Sequence, residues 1–360
     1  MREYLTNEYT ETIQKVIREV VNDPSTYLGS KYIPSVAMPV RKIRTEVIEA
    51  TGGLTQEHVL GTAPKTVQRF GMRVQEYEPP AYKEAKRYDE ADILFLREIG
   101  QNGRNVRGVQ KYIDEDIGHL NRRIEARIEK QRWESIFDGG FSYAGKTLSF
   151  GVPASNRAVP IGALWSLDSV SANNAANPLV DIRYWLEGGL GAWRKYVITE
   201  LVMNPNTARW ILDNSNTRSY IQNAYANPKI QDYSLEQVLG FFLPGGPKVT
   251  VYKGWYQSES FDTAGKRTVS NAIYMIPDGQ IYAVATLPGG DKIGEFVQGV
   301  HLASGSIDNP GYGKFLVMDD NTAPGTKGGP SNPYLEIVGG VYGGVKLDRA
   351  FDVLTAKVIA

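Results

Sequence analysis

Three histidines, scattered carboxylates and a few glycine clusters are the main raw material this chain offers for chemistry, because it contains no cysteine. That absence removes disulfides, thiolate nucleophiles and cysteine metal sites together. His58 falls in an expected loop, His119 on a long helix and His301 beside an apolar strand. None has a second histidine or carboxylate three or four residues ahead to build a metal face; Glu115, four before His119, makes one isolated pair.

The glycine clusters fail the tests for phosphate binding. Gly188-Gly189-Leu190-Gly191 follows a helix, whereas a dinucleotide turn follows a strand and opens a helix. Gly245-Gly246-Pro247-Lys248 lacks the spacing and the hydroxyl of a P-loop. Gly289-Gly290 and the run from Gly339 to Gly344 read as turns between strands. Asp114-Glu115-Asp116 and Asp319-Asp320 could hold a cation or exchange protons, but adjacent acids on helices and loops are usually solvated. No serine sits in a nucleophile elbow. The expectation is no cofactor, no metal and no catalytic centre. Twenty-one tyrosines and six tryptophans (Trp133, Trp165, Trp185, Trp193, Trp210, Trp255) suit cores and interfaces. They also keep one alternative open, a cytoplasmic α/β enzyme that acts on a carbohydrate or other small molecule.

Composition narrows the class further. The 360 residues are 42% apolar and 22% charged, and 40 basic residues balance 40 acidic ones. A chain this long buries a sizeable core and divides into two or more lobes. Zero net charge argues against a dedicated nucleic-acid binder, whose affinity grows with each phosphate it neutralises. Residues 1–8 lack the apolar centre of a signal peptide and no stretch is long enough to span a bilayer, so the expected compartment is the cytoplasm of the producing cell, with no membrane partner.

The elements that would position any site are dominated by one helix, Val106 to Phe137. Val109, Ile113, Ile117, Leu120, Ile124 and Ile128 recur at spacings of four and three, which holds them on one stripe. At 1.5 Å per residue the rod is about 45 Å long, roughly the span of a domain. Asn105 can cap its start and Asp138-Gly139-Gly140 supplies a left-handed stop.

Residues 1–35 read as an arm with a short amphipathic helix, its apolar side Ile13, Val16, Ile17, Val20 and Val21, ended at Asp23-Pro24. Residues 36–82 read as a long two-stranded hairpin, which is marginal alone and must lie on its own body or on another molecule. Helices start at Asn177-Pro178 and Asn204-Pro205, and Ser234 with Gln237 forms a capping box. Strands are expected at 197–203, 248–252, 272–276, 282–286, 335–338 and 351–358, with a turn at Pro277-Asp278-Gly279.

In this order the segments resemble the major capsid proteins of tailed bacteriophages, the Hong Kong ninety-seven fold, and within it the lambda-type capsid protein E family. The resemblance rests on Gly61-Thr62-Ala63-Pro64, the stretch Tyr77 to Glu84, Arg122-Arg123-Ile124-Glu125 running to Phe137-Asp138-Gly139, Leu201-Val202-Met203-Asn204-Pro205, and Lys346 to Val358. It implies an α+β fold with an N-terminal arm (1–35), an extended loop (36–88), a peripheral domain (89–164 and 290–340) built on the 106–137 helix as its spine, and an axial domain (165–289 and 341–360) around a central mixed sheet. It implies a shell of pentamers and hexamers enclosing double-stranded DNA, self-assembled in the host cytoplasm and carried in the virion. Another phage component, such as a tail-tube or portal-associated protein, is a further alternative.

By the same resemblance, inter-subunit contacts fall to Ile13, Ile17 and Val20 of the arm. In the loop they fall to Arg41, Arg44, Glu46, Arg69, Arg73 and Glu76, and on the spine to Arg122, Arg123 and Arg127. The chain begins almost directly with the arm, which implies a separate scaffolding protein; a portal and a decoration protein are further expected partners, and DNA contact should be weak and non-specific. Lys65 and several asparagines elsewhere in the chain show no local pattern for a covalent lysine–asparagine link.

Overall fold

A computed structural model describes residues 27–38, 40–48, 72–89, 106–165, 176–187, 189, 193–224, 234–261, 267–286, 290–299, 316–319 and 334–359. The arm residues Ile13, Ile17 and Val20, the hairpin tip with Gly61 to Pro64 and Arg69, and His58, Asn105 and His301 lie outside them.

The first part runs α1 (Gly29–Tyr32), β1 (Ser35–Ala37), β2 (Ile43–Ile48), β3 (Met72–Tyr77), β4 (Ala81–Asp89), α2 (Val106–Phe137), β5 (Gly140–Tyr143), β6 (Lys146–Ser149) and β7 (Arg157–Ala158). Then come α3 (Pro178–Leu186), β8 (Ile198–Met203), α4 (Pro205–Asp213), α5 (Ser215–Ala224), α6 (Leu235–Phe242), β9 (Lys248–Val251), β10 (Trp255–Tyr256), β11 (Glu259–Phe261), β12 (Arg267–Val269) and β13 (Ile273–Tyr274). The last strands are β14 (Gln280–Ala285), β15 (Glu295–Gln298), β16 (Leu316–Asp319), β17 (Tyr334–Lys346) and β18 (Leu354–Lys357).

The spine helix α2 has the expected bounds. Gly139 ends it at φ +66°, a left-handed conformation that glycine adopts without strain. Ile117, Leu120, Ile124 and Ile128 are buried as the stripe requires. The last turns differ from a one-sided pattern: Glu129, Gln131, Arg132, Trp133, Ser135 and Ile136 are buried as well. The cause is a second layer. Trp133 packs against Tyr282 of β14 at 6.3 Å, while the Arg132 guanidinium lies 5.8 Å from the Phe296 ring of β15. The helix end therefore sits between two sheets.

One sheet is built on β17. Its C-terminal part pairs with β15, which pairs in parallel with β1, and its N-terminal part is flanked by β16 and β4. The glycines from Gly339 to Gly344, expected as turns, are instead the interior of this 13-residue strand. For Gly343 and Gly344 the physical reason is close approach. A Cβ on Gly343 would lie 2.6 Å from the Val297 carbonyl oxygen, and one on Gly344 2.6 Å from the Tyr77 hydroxyl.

The second sheet has the order β7-β18-β14-β8-β9, with parallel outer pairs and antiparallel inner ones. The C-terminal strand β18 is thus inserted between earlier strands. Pro277-Asp278-Gly279 turns the chain into β14 with Gly279 at φ +71°, but the expected strand 272–276 contracts to Ile273–Tyr274 and pairs with β10 rather than β14. β10 to β13 form one ribbon, bridged by Ser270 N–H donating to the Ser258 carbonyl.

The caps form as the sequence indicates. Asn177 and Asn204 accept from the backbone N–H of Val180 and Thr207, and Ser234 with Gln237 closes a capping box. Trp165, Trp185 and Trp193 pack in series, Trp165 stacked on Trp185 at 5.6 Å and Trp185 meeting Trp193 at a tilt at 5.9 Å. Asp181, buried beneath them, accepts from Trp165 Nε1 at 2.7 Å and from Ile161 N–H at 3.0 Å. Burial pushes the Asp181 carboxyl above its ordinary value against the pull of those two bonds.

Candidate assembly surfaces

The described root of the long hairpin has two unlike faces. Alternation along β2 and β3 turns Ile43, Thr45, Val47 and Tyr77 inward, where all four are buried on the chain's own body. Tyr143 and Tyr342 hydroxyls donate to the carbonyls of Glu78 and Arg41, each at 2.8 Å, pinning both ends of the root. The opposite face presents Arg44, Glu46, Val74 and Glu76 to solvent, with Arg44 opposite Glu76 and Glu46 opposite Val74 in the ladder.

Charge on that face is mixed. Arg44 pairs with Glu46 at 2.8 Å on the same strand, and Arg41, 86% exposed, reaches Glu78 at 3.7 Å. Exposed pairs of this kind add little stability, so their value lies in orientation. Arg73 extends to Gly151, where an added Cβ would lie 2.3 Å from its Nη1.

The spine arginines separate. Arg122 is exposed. Arg123 is engaged within the chain: Nε and Nη2 grip Glu84 of β4, Nη2 at 2.9 Å, while Nη1 donates to Glu259 of β11 at 2.6 Å. Those bonds hold its guanidinium well above the ordinary arginine value. Arg127 lies 5.1 Å from the Tyr82 ring centroid. Arg123 and Arg127 therefore each meet side chains of their own chain, and Arg123 remains 42% exposed.

Sequence reasoning passed over two polar centres. Glu129, fully buried, accepts from Gly29 N–H (2.8 Å), Trp133 Nε1 (2.7 Å), Tyr252 hydroxyl (3.1 Å) and Arg132 Nη1 (3.2 Å). Glu200 accepts from Lys31 Nζ at 2.7 Å, from Thr250 and from the Tyr32 hydroxyl at 3.3 Å. Both tie the chain just after the arm to the body.

A third feature is apolar and exposed. Val159, Ile161 and Leu164 are 61%, 57% and 43% exposed, and Val180 and Tyr184, one turn apart on α3, are 45% and 43%. Asp181, through its bonds to Ile161 and Trp165, fastens this loop beside the helix. Exposed apolar side chains grouped in this way are the kind of surface that subunit contacts bury.

Chemistry finds little to work with. His119 is exposed on α2, and Asp116 of the acidic run pairs with Lys86. Among the described residues no group of three metal-binding side chains occurs and no helix is long and apolar enough to cross a membrane. A cleft of about 510 Å³ is lined by Tyr27, Leu28, Ser30, Lys31, Thr250, Val251 and Tyr252, and its lysine is tied to Glu200 and Asp291.

These surfaces belong to a recognisable sequence class, since residues 9–322 match the family described as phage major capsid protein E. The chain belongs to that family. The capsid protein shares its fold with solved relatives of low sequence identity. A prophage protein of Escherichia coli CFT073, described as a capsid protein, aligns over 98% of this chain and 99% of its own with a TM-score of 0.56 at 13% identity. A phage-related protein of Bordetella bronchiseptica RB50 covers 96% of this chain and 94% of its own, with a TM-score of 0.50 at 9% identity. No curated protein matches the sequence significantly. The capsid protein is a structural component of the virion shell with an α+β phage capsid fold, and its family gives no support to the carbohydrate-enzyme alternative.

Proposed function

We propose that this capsid protein is the repeating unit of an icosahedral shell, closing as pentamers and hexamers around packaged double-stranded DNA after assembly in the host cytoplasm. The observation that carries the reading is the family match over residues 9–322, on a fold that leaves a charged hairpin face and an apolar loop–helix patch uncovered. Closed shells need such heterologous contacts, because each copy must offer two different surfaces to its neighbours.

In this reading residues 1–35 are the arm, 36–88 the extended loop, 89–164 and 290–340 the peripheral domain, and 165–289 with 341–360 the axial domain. The sheet on β17 fits the peripheral part and the β7-β18-β14-β8-β9 sheet the axial part, with β17 and β7 running across the division. Of the described polar residues, Arg41, Arg44, Glu46, Arg73, Glu76 and Arg122 are assigned to neighbouring copies, and Arg123 and Arg127 to contacts shared between their own chain and a neighbour. A balanced charge of 40 basic against 40 acidic residues suits a container that touches DNA weakly. Scaffolding, portal and decoration proteins are proposed as partners on the family's account.

The test is to purify the full chain and examine it by electron microscopy and size-exclusion chromatography. Closed shells, or five- and six-membered rings, are the expected products. A small dimer or tetramer that never closes at high concentration overturns the proposal.

A further inference from the structure

The spine helix carries a second stripe beside its apolar one. With 3.6 residues per turn, Asp116, Arg123, Arg127 and Lys130 fall within about 60° of arc. Each meets a side chain from another segment. Asp116 pairs with Lys86, Arg127 lies over Tyr82, Arg123 grips Glu84 and Glu259, and Lys130 Nζ lies 4.8 Å from the Tyr256 ring centroid.

Tyr82, Glu84 and Lys86 alternate along β4 and so share its helix-facing side. Tyr82 to Glu84 spans about 6.6 Å of strand and Arg127 to Arg123 about 6 Å of helix, so strand and helix run antiparallel and in step there, before drawing apart toward Lys86 and Asp116. The ribbon of β10 to β13 does the same. Tyr256 to Glu259 spans about 10 Å, and Lys130 to Arg123 about 10.5 Å. β4 continues from the hairpin root, whereas the ribbon follows the second sheet. One guanidinium joins both to the spine.

The joint is half open to water: the side chains of Arg123, Glu84 and Glu259 are 42%, 39% and 18% exposed. Ion pairs at such positions are screened by salt, unlike the apolar stripe beside them.

We propose that Arg123 is a salt-sensitive latch that clamps β4 and the ribbon of β10 to β13 onto the spine helix, so that releasing it loosens both segments together while the core stays folded. Lys130 serves the ribbon alone, and Asp116 serves β4 alone. Coupling of two segments through a shared group is the property that separates a latch from a set of independent surface pairs.

Hydrogen exchange on the full chain, held in one purified assembly state, tests this. Arg123→Met, which keeps the aliphatic stem, should speed exchange of residues 81–86 and of 255–261 together by about two- to tenfold. Raising salt from low to molar concentration should do the same to the natural protein; in the variant 255–261 should show little further effect, while 81–86 keeps only the smaller response of the Lys86–Asp116 pair. Lys130→Met should loosen 255–261 only. Should Arg123→Met disturb folding, Glu259→Gln gives the second reading: faster exchange in 255–261 with 81–86 still protected and still salt-responsive. The latch is overturned if Arg123→Met loosens one segment without the other, if the salt response of 255–261 survives in that variant, or if Glu259→Gln leaves the ribbon unchanged.

Discussion

Tyr77 donates its phenolic hydrogen to the carbonyl of Val345, and its ring occupies the space a Cβ on Gly344 would need. The long hairpin is seated on the β17 sheet by this contact between residues 268 apart in the chain. Burial drives the Tyr77 hydroxyl well above its ordinary value, with nearby Tyr143 and Tyr82 adding to the shift, so it remains a donor at every working pH.

Two substitutions read that seat from opposite sides. Tyr77→Phe removes the donor and leaves a buried carbonyl short of a partner, costing about 1–2 kcal/mol. Gly344→Ala forces the ring away and should cost about 1–3 kcal/mol by overpacking. Urea unfolding of the soluble chain measures both. If Gly344→Ala melts like the natural protein, close approach is not why glycine stands there.

Glu129 should be the most costly single side chain to truncate on the spine. Glu129→Ala leaves the Gly29 N–H, Trp133 Nε1 and Arg132 without their acceptor, and breaking a buried charged network in this way costs about 3–5 kcal/mol. Trp133→Ala empties the cluster shared with Tyr32, Tyr252 and Tyr282, for a loss of about 3–5 kcal/mol. Because the two residues touch, their double variant should lose less than the sum. Strict additivity in denaturant melts would contradict a shared network.

What the sequence made legible follows from how local each signal is. The bounds of α2, the Asn177 and Asn204 caps and the Ser234–Gln237 box are written within a few residues, and they appear as read. The Gly339 to Gly344 run was opaque because its reasons, Tyr77 and Phe296, lie far along the chain. Glu129 went unread, since nothing nearby in the sequence announces that Gly29 and Tyr252 come to it. The latch did leave a trace. Asp116, Arg123 and Lys130 repeat every seven residues, and Tyr82, Glu84 and Lys86 every two, but pairing them required the fold.

Acid should weaken the attachment of α1. Burial alone would raise the Glu200 carboxyl, but the bonds from Lys31, Thr250 and Tyr32 and the charge on Lys31 outweigh it and hold the carboxyl below its ordinary value. Lys31 is lowered by burial and raised more by its bonds to Glu200 and Asp291. A depressed carboxyl gives its full stability above the unfolded value of about 4.3 and loses it as pH falls through the folded value. A raised lysine gives its share below about 10.4 and loses it as pH rises further. The pair is therefore complete between about pH 5 and 10. Thermal melts of Glu200→Gln should show a shallower loss of stability below pH 5 than the natural chain, and an unchanged acid slope would remove Glu200 from the account.

The exposed apolar patch gives an assembly prediction that separates folding from association. Ile161 and Val180 are 57% and 45% exposed, so replacing both by aspartate should change subunit stability by no more than about 0.5 kcal/mol per site. If neighbouring copies bury this patch, two new charges would each have to be desolvated without a partner, and closed shells should give way to soluble subunits. Arg44→Glu on the outer hairpin face tests the other surface: it should slow or misdirect assembly, with a strong salt dependence that the patch variant lacks. Light scattering during assembly, with circular dichroism as the folding control, distinguishes the cases. Normal shells from the Ile161→Asp, Val180→Asp chain would mean that the patch faces solvent in the virion, and the neighbour's contact would have to be sought on the hairpin face alone.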